Sequence, residues 1–145
     1  MVGLCVGDYP FLAASPDGIV ICDCCESRVL EVKCPYNCTS SKKIVELDFM
    51  VKMDDDDDDL RRKDDFYYQV QTQMLCLGLE FADFVVWSAT KDLHIETIQR
   101  EEEFCADIVR KSEGFFYNSI LPQLFAKHYS RSQDEKKKEE NASVT

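Results

Sequence analysis

The sequence predicts a mixed α/β sandwich, a central sheet with helices packed against it. Two observations carry that reading. Short β-rich apolar runs at Ile19–Cys22, Val29–Cys34 and Phe81–Ala89 are bounded by turn residues. A helical apolar period runs through Phe66–Leu79 and again through Glu101–Tyr129. With 145 residues, 45% of them hydrophobic and 11% aromatic, the chain is long and apolar enough to bury a core as one domain, residues 1–129.

Each element follows from local chemistry. Pro10-Phe11-Leu12-Ala13-Ala14 is short and apolar, and Pro16-Asp17-Gly18 turns the backbone. Gly18–Cys22 and Arg28–Cys34 then read as a hairpin closed by the polar stretch Asp23–Ser27. The strand period of two puts Val29, Glu31 and Lys33 on one face and Leu30, Val32 and Cys34 on the other. Glu31 and Lys33 are therefore about 6–7 Å apart along the strand. Pro35 has no amide to donate and ends it.

Between Tyr36 and Asp65 no period is clear, and Ile44–Val51 fits a helix or a strand equally well. Asp54 to Asp59 is a self-repelling run expected to be a solvated loop. Val70, Met74 and Leu77 recur at helical spacing, with Asp64 or Asp65 as a start and Gly78 as a stop. Phe81–Ala89 reads as a buried strand, and Leu93, Ile95 and Ile98 as a further, partly exposed one. Phe104, Ile108, Phe115 or Phe116, and Ile120 are expected to line one side of a final long helix, which Pro122 kinks or splits. The polar residues Ser130–Thr145 are expected to be a disordered tail.

The net charge of −11 argues against a broad electrostatic grip on nucleic acid. Six of those excess charges come from the single run Asp54–Asp59, so a local basic groove is compatible with the total. No apolar run approaches the roughly 20 residues of a membrane span, and the first residues lack the basic flank of a signal peptide. A soluble, intracellular protein with reduced thiols is the expectation. Of eight cysteines, Cys76 and Cys105 fall in apolar helical patterns as core residues. Cys22, Cys24, Cys25 and Cys34, with Cys38 nearby, are either plain thiols or ligands of a structural zinc. Read as Cys-x-Cys-Cys, the first three lack the usual two-residue spacer.

The chemistry concentrates at Asp17, Glu31 and Lys33. Charged groups on core strands are a costly way to build an interior, but two carboxylates and a backbone carbonyl, that of Val32, suit magnesium or manganese. Such ions supply an activated water and neutralise charge in phosphodiester hydrolysis. Lys33 beside them would position the water or offset developing negative charge. Either motif alone is as readily a turn former or an ordinary amphipathic strand. Both in this order and separation are more specific.

Ser15-Pro16-Asp17-Gly18, Leu30-Glu31-Val32-Lys33-Cys34-Pro35, Tyr68-Gln69-Val70-Gln71 and Asp83-Phe84-Val85-Val86-Trp87 together resemble the lambda exonuclease family, the YqaJ-type viral recombinase nucleases of the PD-(D/E)xK superfamily. The likeness runs from about Pro10 to about Leu124. It implies a restriction-endonuclease-like mixed central sheet flanked by helices. By position it implies metal ligation by Asp17, Glu31 and the Val32 carbonyl, a catalytic Lys33, and an active-site glutamine at Gln69, with Gln71 and Gln73 as weaker matches. The family's chemistry implies two magnesium (or manganese) ions, DNA as substrate, 5′-to-3′ digestion of duplex ends, an annealing-protein partner and a homo-oligomer.

The chain departs from the family pattern in having only nine residues before Pro10, where members carry helices with further acidic and phosphate-binding groups. Two expectations follow. One is a metal-dependent DNA exonuclease. The other is a nuclease-derived binding module that no longer cuts, with a structural zinc at the cysteines as an optional support.

Overall fold

The computed structural model describes residues 2–36, 65–88 and 93–129. The hexa-aspartate run, the ambiguous stretch Ile44–Val51 and the tail from Ser130 lie outside the described residues. The chain divides into two compact units, residues 1–109 and 110–145.

The first unit holds two sheets and helix α1 (Asp65–Leu77). Strands β1 (Cys5–Val6) and β2 (Ala13–Ala14) pair antiparallel, Cys5 against Ala14 and Val6 against Ala13. Two residues carry no readable period, so β1 was invisible in the sequence. The main sheet has the order β3 (Gly18–Cys22), β4 (Cys25–Lys33), β5 (Phe81–Trp87), β6 (Leu93–Gln99). Its β3–β4 and β5–β6 pairs are antiparallel, and its central β4–β5 pair is parallel.

The β3–β4 hairpin is tighter than the sequence predicts. β4 starts at Cys25 rather than Arg28, and Cys22 pairs directly with Cys25, leaving Asp23 and Cys24 as the turn. A register irregularity between Val20 and Cys22 accommodates this closure.

The parallel pair requires a crossover between β4 and β5, and α1 lies on it, as the βαβ logic demands. Val29 of β4, Ala82, Phe84 and Val86 of β5, and Ile98 of β6 form the core with Tyr67, Val70 and Met74 of α1. The alternation predicted for β4 is present, with Val29 and Glu31 buried and their neighbours less so. β5 was expected to be buried throughout. It alternates instead, because Ala82, Phe84 and Val86 face the core while Trp87 is exposed. Gly78 ends α1 at φ +66°, the left-handed conformation in which glycine is favoured.

Helix α2 spans Glu102–Phe115, and its Cys105 and Ile108 are buried. The chain then passes through a π-helical turn, Phe116–Ile120, and stays helical over 121–129. The N–H of Leu121 reaches the carbonyl of Phe116, five residues back. Pro122 therefore does not split the helix. It lacks an N–H to give the i−4 carbonyl, and the wider turn lies immediately before it. The apolar side predicted for this helix is buried only at its start, since Phe115 and Ile120 are exposed. No described helix is long and apolar enough to cross a membrane.

Candidate active site

Asp17 sits where the turn enters β3, and its Oδ2 accepts the backbone N–H of Val32 at 2.8 Å. The reason is local. β3 ends its pairing with β4 at Gly18 opposite Leu30, so Val32 has no ladder partner on that side. The N–H and C=O of one strand residue point to the same edge. The carbonyl of Val32 therefore faces the edge where Asp17 caps its amide. Asp17 itself is exposed, and its second carboxylate oxygen has no hydrogen bond among the described residues.

Glu31 is buried, at 3% exposure, on the face of β4 that looks at α1. Its Oε1 accepts Lys33 Nζ at 2.6 Å and Gln69 Nε2 at 2.7 Å. Its Oε2 accepts Gln73 Nε2 at 2.7 Å. Lys33 Nζ also donates to Gln69 Oε1 at 2.9 Å and lies 4.6 Å from the centroid of the Phe66 ring. Three donors, one of them cationic, meet the hydrogen-bonding demand of a carboxylate taken out of water. The ammonium is half-enclosed by an aromatic face and two oxygens.

Glu31, Lys33 and Gln69 thus meet directly. Asp17 joins them through the backbone of Val32 rather than by side-chain contact. Of the two weaker glutamine candidates, Gln73 belongs to the site and Gln71 does not. Gln71 Nε2 donates to the carbonyl of Gln99, and its Oε1 accepts the N–H of Glu101, which fastens α1 to the connection between β6 and α2. Gln69 and Gln73 flank the apolar stripe of α1 and reach Glu31 on the sheet, and Gln73 is only 1% exposed. The signal for Gln73 was its i, i+4 spacing from Gln69.

A cleft of about 350 Å³ opens beside these groups, between Ala13–Ser15 and the α1 face formed by Asp65, Tyr68, Gln69, Thr72 and Gln73. It places the amide ends of the Glu31 network next to open space.

The donor set fits a hard divalent cation. Asp17 has an uncommitted oxygen at the edge the Val32 carbonyl faces, and Glu31 lies one residue away on the strand with its oxygens held by Lys33, Gln69 and Gln73, a hard-oxygen set. The four cysteines considered as zinc ligands behave differently. Cys22, Cys24 and Cys25 cluster at the hairpin tip, where Cys22 and Cys25 are joined as a disulfide in place of the reduced thiols expected, because the two-residue turn sets them opposite each other. Cys34 lies past the opposite end of β4 and is not part of that cluster, because an extended strand separates its ends by about 3.3 Å per residue. Cys105 is buried against Gln71, and burial pushes its thiol up to about 11.

No curated protein matches the chain. Among solved structures, the alkaline exonuclease LHK-Exo from Laribacter hongkongensis is similar over 93% of this chain and 61% of its own, with 26% identity and a TM-score of 0.54. LHK-Exo in complex with dAMP aligns with the same coverage, 24% identity and a TM-score of 0.53. The chain thus spans about three fifths of that exonuclease. The model of the YqaJ-like viral recombinase domain matches residues 3–80, more than half of the chain and the whole stretch from β1 through the end of α1. On that match, the chain belongs to the YqaJ-like viral recombinase domain family.

Proposed function

We propose that this chain carries the catalytic core of a metal-dependent deoxyribonuclease of the PD-(D/E)xK type, acting as a 5′-to-3′ exonuclease on duplex ends. The observation that carries the reading is the convergence of Lys33 Nζ and Gln69 Nε2 on one oxygen of buried Glu31, beside an Asp17 carboxylate held at the Val32 edge. Any buried carboxylate needs its lone pairs satisfied, but a purely structural ion pair needs neither a cleft at its mouth nor a second carboxylate at the next backbone amide. The likeness to an alkaline exonuclease supports the reaction class, and a relative solved with dAMP is consistent with release of mononucleotides.

In this reading Asp17, Glu31 and the Val32 carbonyl hold one or two magnesium or manganese ions. Bound there, the metal would supply an activated water and neutralise charge at phosphorus. The chain's own groups have separable tasks. Gln73 keeps one Glu31 oxygen pointed inward, and Gln69 orients the other. Lys33 stands ready to orient the attacking water through Nζ once Glu31 turns to the ion. The cleft along α1 admits the terminal nucleotide, with Ser15 and Tyr68 at its walls. An annealing protein and further copies of the chain belong to the same proposal as partners, and an intracellular site of action fits a DNA substrate.

The test is release of nucleotides from end-labelled duplex DNA, with and without magnesium, by the wild type and Lys33→Ala. Magnesium-dependent release from one end, lost in the variant, is the expected result. A folded protein that binds magnesium yet releases nothing would overturn the proposal.

A further inference from the structure

We propose that the tip of the β3–β4 hairpin is a second metal site, made by the thiolates of Cys22, Cys24 and Cys25 and suited to a thiophilic d¹⁰ cation of the zinc class. The three sulfurs all lie within 4.8 Å of one another. Cys22 Sγ stands 3.4 Å from Cys24 Sγ and is joined to Cys25 Sγ as a disulfide, so the site is that of the reduced protein.

The backbone explains the convergence. Cys22 and Cys25 are a cross-strand pair flanking a two-residue turn, which is the Cys-x-x-Cys spacing that reading the run as Cys-x-Cys-Cys conceals. Cys24 lies in the turn itself. Sulfurs bound to zinc at about 2.3 Å in a tetrahedron stand about 3.8 Å apart. A thiol reductant supplies the two electrons that cleave the Cys22–Cys25 bond, and the two thiols formed lose their protons as the cation binds them together with Cys24. Three ligands leave the fourth position to water, since Cys34 is remote and the tip is exposed.

Charge favours a bound cation over a nucleophilic thiol at this tip. Reactive cysteines work in electropositive surroundings. Here Asp23 and Glu26 flank the sulfurs, and the nearest following cation, Arg28, is engaged with Asp83 at 3.2 Å. Anionic neighbours favour a cation. Hardness separates the two sites, since magnesium seeks the oxygens near Asp17 while thiolates select zinc. Cys25 and Glu31 are six residues apart on one strand, about 20 Å. The bound ion would therefore clamp the far end of the hairpin whose near end carries Asp17 and Glu31.

The experiment uses the full chain prepared under a thiol reductant without chelator. Metal analysis should find one zinc per chain. Cobalt titrated into the zinc-free protein should give a thiolate-to-cobalt charge-transfer band that saturates at one equivalent and is displaced by zinc. The band should vanish in Cys22→Ser/Cys25→Ser and weaken in Cys24→Ser, while Lys33→Ala retains it, which keeps this result independent of the nuclease reading. Zinc should raise the melting temperature of the wild type but not of the double variant. Absence of both zinc and the band in protein shown to be folded by circular dichroism would overturn the proposal. So would a band that survives the double variant, or a Cys22–Cys25 disulfide that persists under reductant.

Discussion

Gln73 donates its amide N–H to Glu31 Oε2 at 2.7 Å from within the interface between α1 and the sheet, while its own Oε1 is buried with no hydrogen-bond partner. A helix residue with half its polarity unsatisfied is retained at a cost, typically about 1–3 kcal/mol. The arrangement makes sense if the direction of the Glu31 carboxylate matters more than that loss.

Gln73→Met keeps the volume and removes the bond. It should lower stability by about 1–3 kcal/mol, because Glu31 Oε2 is left buried without its donor, a loss offset in part as the orphaned Oε1 disappears. Magnesium affinity should fall by roughly 10- to 100-fold, as for other residues that orient a metal ligand. Calorimetric titration with magnesium and a melting curve on the same sample separate the two effects. Unchanged magnesium binding would remove Gln73 from the site.

Gln69 and Gln71 lie two residues apart and should fail in opposite ways. Gln71→Ala strands the carbonyl of Gln99 and the N–H of Glu101, so it should lower stability by about 1–3 kcal/mol. The rate per folded molecule should hold. Gln69→Ala should leave the denaturant midpoint nearly unchanged and reduce nucleotide release by about 10²-fold, the scale for a lost polar group at a reacting centre. Chemical denaturation and a single-turnover assay decide between these patterns.

Gly7 and Gly78 are both intolerant of a side chain, for different reasons. A Cβ on Gly7 would lie 2.9 Å from Cys76 Cα and 3.0 Å from its carbonyl oxygen, both backbone atoms that cannot swing aside. Gly7→Ala should push β1 off α1 and cost about 1–3 kcal/mol. Gly78→Ala meets open space, and its cost of about 1 kcal/mol comes only from the positive φ. Thermal melts of the two variants should rank them in that order.

Cys105 supplies a pH dependence. Burial raises its thiol from 9.0 to about 11 in the folded chain. The neutral form is the one that folding accommodates, so the contribution is complete below pH 9 and is lost as the pH rises through 11. The wild type should lose stability across that window more steeply than Cys105→Ala, the lysine and tyrosine titrations common to both cancelling in the comparison. Parallel slopes for the two proteins would show that the thiol titrates alike in the folded and unfolded chains.

Much of this protein follows from its letters. The alternation Val29-Leu30-Glu31-Val32-Lys33 already assigns Glu31 and Lys33 to one face, because a strand's side-chain period is two whatever surrounds it. The helical recurrence of Val70, Met74 and Leu77 and the Gly78 stop are equally local. Tertiary structure alone decided the rest. Whether Gln71 or Gln73 meets Glu31 depends on how α1 is rotated over the sheet, which packing of Val70 and Met74 on Val29 and Phe84 sets. The link from Asp17 to Val32 exists because β3 stops pairing at Gly18, a register no single strand encodes. Local periods are written in neighbouring residues, whereas register and helix rotation are settled by contacts between segments tens of residues apart.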